Sequence, residues 1–273
     1  MGILGLWRLL KEPTLHHHLP QTSNAESSSA PICRLDVLGT FYNEIKNAYS
    51  KHPSEAAHHI MEQKLLKVGS KEGLWVYLDG SPSKEKESTH AQREQKRMDN
   101  GRRGQQLLED LRARIEDGQN VSKPMFKDVE KAIGGTFYWS LESRAEFVAY
   151  LHQQGWKHIV EAATEADLAI AKDCQPNDIV ISRDSDLLIY PSVTKVFRPI
   201  SKGRYLQYDV QELTAVLGMN RIQFTVLGIV SRNDYTSNIP SLGAKRTSKS
   251  QRAFLRQIQK QWSSNTLPAL KSY

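Results

Sequence analysis

The chain has 273 residues, of which 39% are hydrophobic and 25% charged, a balance typical of a soluble globular protein with one large or two small domains. No stretch approaches the roughly 20 apolar residues of a membrane span, and the N-terminus lacks the basic region and long apolar run of a signal peptide. The two cysteines, Cys33 and Cys174, cannot form a disulfide framework or a zinc cluster, so we expect a reducing, intracellular compartment.

Charge is distributed unevenly along the chain. The net charge is +7, but residues 195–273 hold 13 basic and 3 acidic side chains, which leaves −3 for residues 1–194. The last 31 residues, 243–273, contain seven basic residues and no acid. A basic C-terminal region after a mildly acidic body indicates a polyanionic partner, although a solvated basic surface would show the same pattern.

The first half of the chain predicts two buried strands and a long helical segment. Residues 3–10 have the apolar spacing of a short amphipathic helix, and residues 19–31 are typical of a loop. Apolar runs in residues 32–38 and 74–80 predict buried strands, each with an aspartate at or near its end. Residues 84–118 are rich in charge and predict a helix with little burial.

The second half continues the alternation of helices and strands. Residues 140–154 and 162–172 predict helices, and residues 178–186 contain a third apolar strand followed by aspartates. Residues 209–218 predict a capped helix that ends at glycine, and residues 223–230 predict another helix. Continuous apolar runs between helical segments are typical of buried parallel strands, so the sequence predicts an α/β fold.

Seven acids stand out because they follow strands or lie near helix ends: Asp36, Asp79, Glu165, Asp167, Asp184, Asp186 and Asp234. Any one of them alone would more often be a helix cap or a surface acid. Glu165 and Asp167 lie about 200° apart on an ideal helix, so they can converge only near a helix start. Like charges gathered at strand ends repel unless cations offset them, and oxygen ligands favour Mg²⁺ or Mn²⁺. Two such ions can activate water and stabilise the leaving oxygen of a phosphodiester. The pattern therefore predicts a magnesium-dependent enzyme that acts on a polyanion.

Short motifs along nearly the whole chain resemble those of the flap endonuclease/XPG family of structure-specific 5′ nucleases, which have a PIN-like fold. The N-terminal MGILGLWRLL is similar to the start of family members, and YLDGSP at residues 77–82 resembles the family's FDG-x-P strand. ATEAD at residues 163–167 resembles PSEAE, and RDSD at residues 183–186 resembles (E/T)-D-x-D. NDY at residues 233–235 followed by LGAKR at residues 242–246 resembles GSDY and then GIGPKRA.

The resemblance implies a role for particular residues of this chain. It assigns the seven acids to a site for two Mg²⁺ ions, with Mn²⁺ as the expected substitute; Asp167 stands where the family usually has the longer Glu. Lys86 and Arg93 are expected to steer the scissile phosphate from one face of the segment after Asp79. Tyr42 is expected to stack on a base, with a core tyrosine as an equally supported alternative. Gly2 is expected near the active site after removal of Met1.

The resemblance also implies a domain plan with a twisted, mostly parallel sheet flanked by helices. A nuclease domain is expected over residues 1–234, composed of an N-region (about 1–95), a helical arch (about 84–135) and an I-region (about 140–234). Residues 235–273 are expected to form a helix–two-turn–helix and a basic helix that hold DNA. The expected backbone contacts, with K⁺ as the monovalent ion of the family's motif, are Gly243, Lys245, Arg246 and Lys249.

Departures from the family's motifs leave two alternatives open. Arg232-Asn233 replaces a small Gly-Ser pair, and Ser241 and Ala244 replace a glycine and a proline, which favours a weak or inactive nucleic-acid-binding protein as the first alternative. The second alternative is a PIN-type endoribonuclease.

The expected partner is branched or 5′-flap DNA, with RNA as the alternative substrate. No membrane partner and no sliding-clamp motif are expected, and the chain is expected to be a monomer. A nuclear location and a role in DNA repair follow from the family alone. The histidines at 16–18 are expected in a loop rather than at a metal.

Overall fold

The computed structural model describes residues 14–16, 19, 31–200 and 203–230. Within them the strands are β1 (Thr14–His16), β2 (Cys33–Asp36), β3 (Leu74–Leu78), β4 (His158–Glu161), β5 (Ile179–Ile181), β6 (Lys195–Pro199) and β7 (Tyr205–Asp209). The helices are α1 (Val37–Lys51), α2 (Ser54–Leu66), α3 (Glu87–Glu116), α4 (Lys123–Gly134), α5 (Leu141–Gln153), α6 (Ala166–Asp173), α7 (Val210–Leu217) and α8 (Arg221–Val230). Short 3₁₀ turns lie at Lys84–Lys86 and Asp186–Ile189. Among the described residues, no helix is both long enough and apolar enough to cross a bilayer.

The strands form one mixed sheet in the order β1-β7-β6-β5-β2-β3-β4. The pairs among β6, β5, β2, β3 and β4 are parallel, whereas β7 pairs antiparallel with both β6 and β1. The chain runs from β2 outward through β3 and β4, then returns to the other side of β2 as β5. The strand order therefore reverses between β2 and β5, and the crevice at the carboxyl ends of these strands is where open α/β sheets bind ligands.

Helices cover both faces of the sheet because strand residues alternate between two buried clusters. One cluster joins Leu35 and Val76 of the sheet to α1, α2 and α5. The other joins Tyr77 and Val180 to α6, α7 and α8, including the fully buried Phe224. Strands buried on both faces read as continuous apolar runs, which is why the central strands were predictable from sequence. The predicted α/β fold with a mostly parallel sheet is confirmed.

A helical hairpin leaves the sheet after β3. Helix α3 has 30 residues and is about 45 Å long, and only Gly104 and Leu111 on it are buried. Helix α4 packs against it at Gly104, where an added Cβ would lie 3.3 Å from Ile133. Asn100 Nδ2 donates to the Gly135 carbonyl at 3.2 Å and ties the end of α4 to α3. The predicted helix with little burial over residues 84–118 is confirmed. Residues 84–135, where the arch is expected, include this hairpin, and its role as an arch stays a prediction.

The helix predicted over residues 162–172 begins later than expected, at Ala166. Backbone pairing beyond β4 prevents helix formation before that point. The Ala162 N–H donates to the Leu78 carbonyl at 3.0 Å, and the Gly80 N–H donates to the Thr164 carbonyl at 2.6 Å. The strand predicted over residues 32–38 likewise ends at Asp36, because the backbone from Val37 onward is helical.

Other predictions have mixed outcomes. The helices predicted at residues 140–154, 209–218 and 223–230 are present, and Asp209 and Gly218 cap α7 as expected. His16, expected in a loop, lies in β1 with its ring 5.3 Å from that of Phe197. The predicted helix at residues 3–10 and the expected DNA-binding region at 235–273 lie outside the described residues, as do Gly2, Asp234, Gly243, Lys245, Arg246 and Lys249.

Candidate active site

Asp36 is the last residue of β2 and the N-cap of α1. Its carboxylate therefore lies at the switch point of the sheet, the crevice between the carboxyl ends of β2 and β5 where the strand order reverses. Its Oδ1 accepts the Gly39 N–H at 2.8 Å, and its Oδ2 accepts the Ser182 hydroxyl at 2.7 Å. A side chain at position 39 would displace this carboxylate, since an added Cβ at Gly39 would lie 2.0 Å from Asp36 Oδ2. Burial, followed by the charges of Asp79 and Asp184, raises the pKa of Asp36 to about 8.

Asp79 follows β3, and its side chain organises the start of α6. Its Oδ1 accepts the Ala166 N–H at 2.8 Å, which satisfies one of the free amides at that helix end. The buried Arg144 on α5 donates from Nη1 to the carbonyls of Asp79 at 2.7 Å and Gly80 at 3.1 Å. Burial raises the pKa of Asp79, and the Ala166 amide and the Arg144 charge counteract part of that effect.

Glu165 immediately precedes α6 and forms an ion pair with Lys86. The Lys86 Nζ lies 2.5 Å from Glu165 Oε2, and both side chains are nearly buried. The Ser83 hydroxyl donates to Glu165 Oε1 at 3.2 Å. The 3₁₀ turn before α3 therefore contacts the segment before α6, and the ammonium of Lys86 compensates one of the clustered acids.

Asp167 lies in the first turn of α6. Its Oδ2 accepts the Tyr190 hydroxyl at 3.1 Å, and its Oδ1 accepts the Leu168 N–H at 2.8 Å. Burial, followed by the charge of Glu165, raises the pKa of Asp167 to about 6. Glu165 and Asp167 thus influence each other across a helix start, which is the one place where the sequence allowed them to converge.

Asp184 and Asp186 follow β5 in a turn that Ser182 organises. The Ser182 hydroxyl accepts the Asp184 N–H at 2.9 Å while donating to Asp36, so it joins the ends of β5 and β2. Asp184 Oδ1 accepts the Asp186 N–H at 3.1 Å. Asp186 is buried and begins the 3₁₀ turn Asp186–Ile189.

Six of the seven predicted acids therefore lie at one edge of the sheet, and the charges of five of them act on one another: Asp36, Asp79, Glu165, Asp167 and Asp184. As these side chains stand, no three His, Cys, Asp or Glu residues in the described part of the chain form a group that could hold a metal ion. The donor set nevertheless suits a hard cation, since it consists of carboxylates whose mutual repulsion a cation would relieve. Asp234 lies outside the described residues.

The remaining predicted site residues lie on α1 and α3. Arg93 is a half-buried residue of α3, seven positions beyond Lys86. Tyr42 on α1 is 43% exposed, and its ring packs edge-on against that of Phe137 at 6.3 Å. This exposure excludes the alternative of a core tyrosine, whereas the expected base-stacking role stays a prediction.

The structure adds three site residues that sequence reasoning missed: Arg144, Ser182 and Tyr190. Ser182 had a local signal, because it ends the apolar run two residues before Asp184. Arg144 and Tyr190 had none, since each meets its acidic segment only through the packing of a separate element. Their contacts depend on tertiary structure alone.

Comparisons with known proteins agree with this architecture. No family model matches the chain. Over 268 residues it is 26% identical to flap endonuclease 1-A of Physcomitrium patens, covering 91% of the chain but only 63%, less than two thirds, of that relative. The fold is similar to the catalytic core of Rad2 in complex with DNA substrate, with a TM-score of 0.54, 16% identity and coverage of 97% of this chain and 73% of that one. A second structure of the Rad2 catalytic core gives a TM-score of 0.52 at 15% identity, covering 98% of this chain and 80% of that one.

A mostly parallel sheet with helices on both faces, a helical hairpin after β3 and acids at its carboxyl edge defines a PIN-like α/β protein. The sequence similarity to a flap endonuclease over most of the chain, together with the fold shared with the Rad2 catalytic core, agrees with the resemblance to the flap endonuclease/XPG family that the motifs carry.

Proposed function

We propose that this chain is a divalent-metal-dependent, structure-specific nuclease that hydrolyses DNA phosphodiesters at flaps, forks or 5′ ends during DNA repair or replication. The observation that carries the proposal is the acid cluster at the switch point of the sheet. Burial and the neighbouring Asp79 and Asp184 raise the pKa of Asp36 to about 8, so the protein tolerates these carboxylates at an energetic cost. Binding of hard cations would offset the repulsion among these carboxylates, which gives a functional reason for keeping them together.

The seven acids are the proposed ligands of two Mg²⁺ ions, with Mn²⁺ as a substitute. Bound Mg²⁺ would supply Lewis acidity toward water and the scissile phosphodiester. Ser182 and Gly39 hold the Asp36 carboxylate in place through one hydrogen bond to each oxygen. Arg144 holds the turn that presents Asp79 by binding two consecutive carbonyls. These contacts would keep the carboxylates preorganised without consuming all their lone pairs.

Lys86 has a double role in this proposal. In the structure it compensates Glu165 at 2.5 Å. Once the acids hold cations, that compensation is no longer required, and the ammonium would turn to the scissile phosphate together with Arg93. Positive groups aimed at a phosphoryl oxygen stabilise the charge that develops in the transition state.

DNA is the proposed partner for two reasons. The Rad2 catalytic core, which shares the fold, is known in complex with a DNA substrate. The chain itself carries its positive charge in residues 195–273, which suits a phosphate backbone read by shape. The proposed duplex contacts are Lys245, Arg246 and Lys249, with the Gly243 backbone and K⁺ at the same motif and Gly2 and Tyr42 nearer the cut.

The test is cleavage of end-labelled 5′-flap, fork and single-stranded DNA with Mg²⁺, beside a matched RNA flap. Asp184→Asn should lower cleavage by at least about 100-fold, because it removes a charge from the cation site. Asp110→Asn, on the exposed face of α3, is the matched control and should cut like the wild type. Binding in Ca²⁺ should be equal for all three proteins.

A second candidate function is a nucleic-acid-binding protein without turnover, which the Lys86–Glu165 ion pair favours because it already compensates a proposed ligand. Binding to the flap without cutting, in either Mg²⁺ or Mn²⁺, would support this candidate and contradict the first. Preferential cutting of the RNA flap would instead support the endoribonuclease alternative.

A further inference from the structure

Helix α8 contacts the segment that follows Asp186 through a partly buried arginine. Arg221 Nη1 donates to the Leu188 carbonyl at 2.9 Å, and Nη2 donates to the carbonyls of Tyr190 and Val193, the latter at 3.0 Å. Burial lowers the pKa of Arg221 to about 10, so the guanidinium is still charged at neutral pH. Hydrogen bonds from a charged donor are about twice as strong as neutral ones, so three carbonyls are held at one point.

Two further residues of α8 contact the same segment on successive turns of the helix. The Thr225 hydroxyl donates to the Ile189 carbonyl at 2.8 Å. Gly228 lies against the Ile189 side chain so closely that an added Cβ would be 2.4 Å from Cγ2. Positions 221, 225 and 228 lie on one face of the helix, so this face of α8 packs along residues 188–193.

This segment is connected to two of the acids, Asp186 and Asp167. It continues the 3₁₀ turn that begins at Asp186, and it contains Tyr190, whose hydroxyl donates to Asp167. A shift of the segment would therefore move Asp186 and the hydrogen bond to Asp167 together. Helix α8 itself ends at Val230, four residues before Asp234 in the sequence.

We infer that Arg221 is a positioning residue that sets the cation affinity of the acid cluster by holding the backbone of residues 188–193, with Thr225 as its partner. The inference rests on the proposed function in one respect, the binding of a divalent cation by these acids. Groups outside the ligand shell of a metal site commonly change metal affinity or activity by about 10- to 100-fold when they are removed.

The experiment measures Mg²⁺ binding to the full chain by isothermal titration calorimetry and amide hydrogen exchange over residues 186–193. Arg221→Gln should weaken Mg²⁺ binding by about 10- to 100-fold and accelerate exchange in this segment. Thr225→Val, nearly isosteric, should do the same to a smaller extent, and Arg221→Lys should restore part of the affinity. Ile222→Ala is the control, because Ile222 lies on the same helix and is 72% exposed. On a flap substrate, kcat should fall for Arg221→Gln while KM for DNA stays constant.

Equal Mg²⁺ affinity and equal exchange in Thr225→Val and Ile222→Ala would overturn the inference, even if Arg221→Gln is too unstable to study. A lower melting temperature without a change in Mg²⁺ affinity would give Arg221 a purely structural role and would also overturn it. A wild type that binds Mg²⁺ but cuts no substrate would refute the proposed nuclease activity alone. A wild type that binds no Mg²⁺ would refute both.

Discussion

The surroundings of Asp36 disfavour the ionised form of its carboxylate. It is buried at the end of a central strand, its two oxygens accept hydrogen bonds from Gly39 and Ser182, and the charges of Asp79 and Asp184 act on it. Hydrogen bonds favour the ionised form, whereas burial and like charge disfavour it, and the raised pKa shows that the second pair of effects is larger.

Asp36 therefore predicts an unusual dependence of stability on pH. Because its pKa in the folded state is about 8 and its ordinary value is 3.8, the folded state binds more protons between these values, and stability falls as pH rises from about 4 to 8. Asp36→Asn should remove the contribution of Asp36 to this slope and should stabilise the cation-free protein at pH 9 by an amount on the order of a few kcal/mol. Thermal unfolding in EDTA at pH 5, 7 and 9 checks this, and a wild-type slope of opposite sign that persists in the variant would refute it.

Gly39 predicts a second effect at the same carboxylate. A methyl group at this position would lie 2.0 Å from Asp36 Oδ2 and 2.7 Å from Ser182 Oγ, so Gly39→Ala must displace the acid. We expect loss of Mg²⁺ binding and a destabilisation of about 1–3 kcal/mol, comparable to overpacking a core. Gly101→Ala is the control: its nearest neighbour is at 3.7 Å, and alanine in a helix should stabilise by about 0.5–1 kcal/mol. Urea unfolding with Mg²⁺ calorimetry measures both effects, and equal results for the two variants would contradict the expectation.

Away from the acid cluster, the buried carboxylate of Glu62 joins several elements, and unlike Asp36 its pKa is lowered. Glu62 on α2 accepts the Lys71 ammonium at 2.8 Å, the Tyr150 hydroxyl at 2.9 Å and the Trp156 indole N–H at 3.2 Å. These donors come from the loop after α2, from α5 and from the residues before β4. Burial alone would raise the pKa of Glu62, but these hydrogen bonds and the Lys71 charge outweigh it and hold the pKa below its usual range.

The Glu62 contacts predict stability that depends on pH in the opposite direction from that of Asp36. A lowered pKa means that the contribution of Glu62 is present above its ordinary value of 4.5 and is lost as pH falls through the folded-state pKa. Glu62→Gln should cost about 1–3 kcal/mol at pH 7, and its difference from wild type should shrink on acidification. Glu72→Gln, exposed beside Lys71, should cost almost nothing. Urea unfolding at pH 7 and pH 4 decides the matter, and a difference that does not change with pH would count against the assignment.

Secondary structure was predictable where capping or turn residues in the local sequence mark the ends of an element. Helix α7 begins at the Asp209 cap and ends at Gly218, whose φ of 64° glycine adopts without strain. Strand β4 and the late start of α6 were not predictable, because β4 is a partly exposed edge strand and the start of α6 depends on its pairing with residues 78–81. The hairpin of α3 and α4 was predictable as helix from composition, but its packing at Gly104 was not.

For the whole molecule, the positive charge proposed to bind DNA lies in a different part of the sequence from most of the acid cluster. The net charge of residues 195–273 is positive, whereas residues 1–194 sum to −3. A protein that neutralises phosphates releases counterions, so its affinity for duplex DNA falls steeply with salt. The basic residues of the C-terminal region are therefore expected to dominate the salt dependence.

Replacing Lys245, Arg246 and Lys249 by glutamine should lower the slope of log affinity against log salt by up to about 2.7, at about 0.9 per phosphate contact. The control replaces Lys51, Lys67 and Lys157, which are exposed and carry the same charge. Fluorescence anisotropy with a 5′-flap duplex in Ca²⁺ at several salt concentrations measures the slopes. Equal slopes for the two triple variants would show that the C-terminal residues do not bind phosphate.

The sequence by itself determined the α/β class, the three central strands, the acids at or after their carboxyl ends and the resemblance to a nuclease family. Each of these depends on local pattern: continuous apolar runs, the residue that follows them and short motifs in a fixed order. Six acids lie at one edge because parallel strands with helical crossovers must bring their carboxyl ends together, which is a property of topology that local sequence implies.

Only the tertiary structure decided how these acids are held and compensated. Lys86 faces Glu165, Arg144 binds the turn at Asp79, and Arg221 binds the segment after Asp186, although the partners are separated by 28 to 79 residues in the sequence. No local pattern encodes such contacts, because they arise from the packing of whole helices against the sheet. The physical reason is that buried charges need partners, and in a folded chain the partner is supplied by whichever element lies nearest in space.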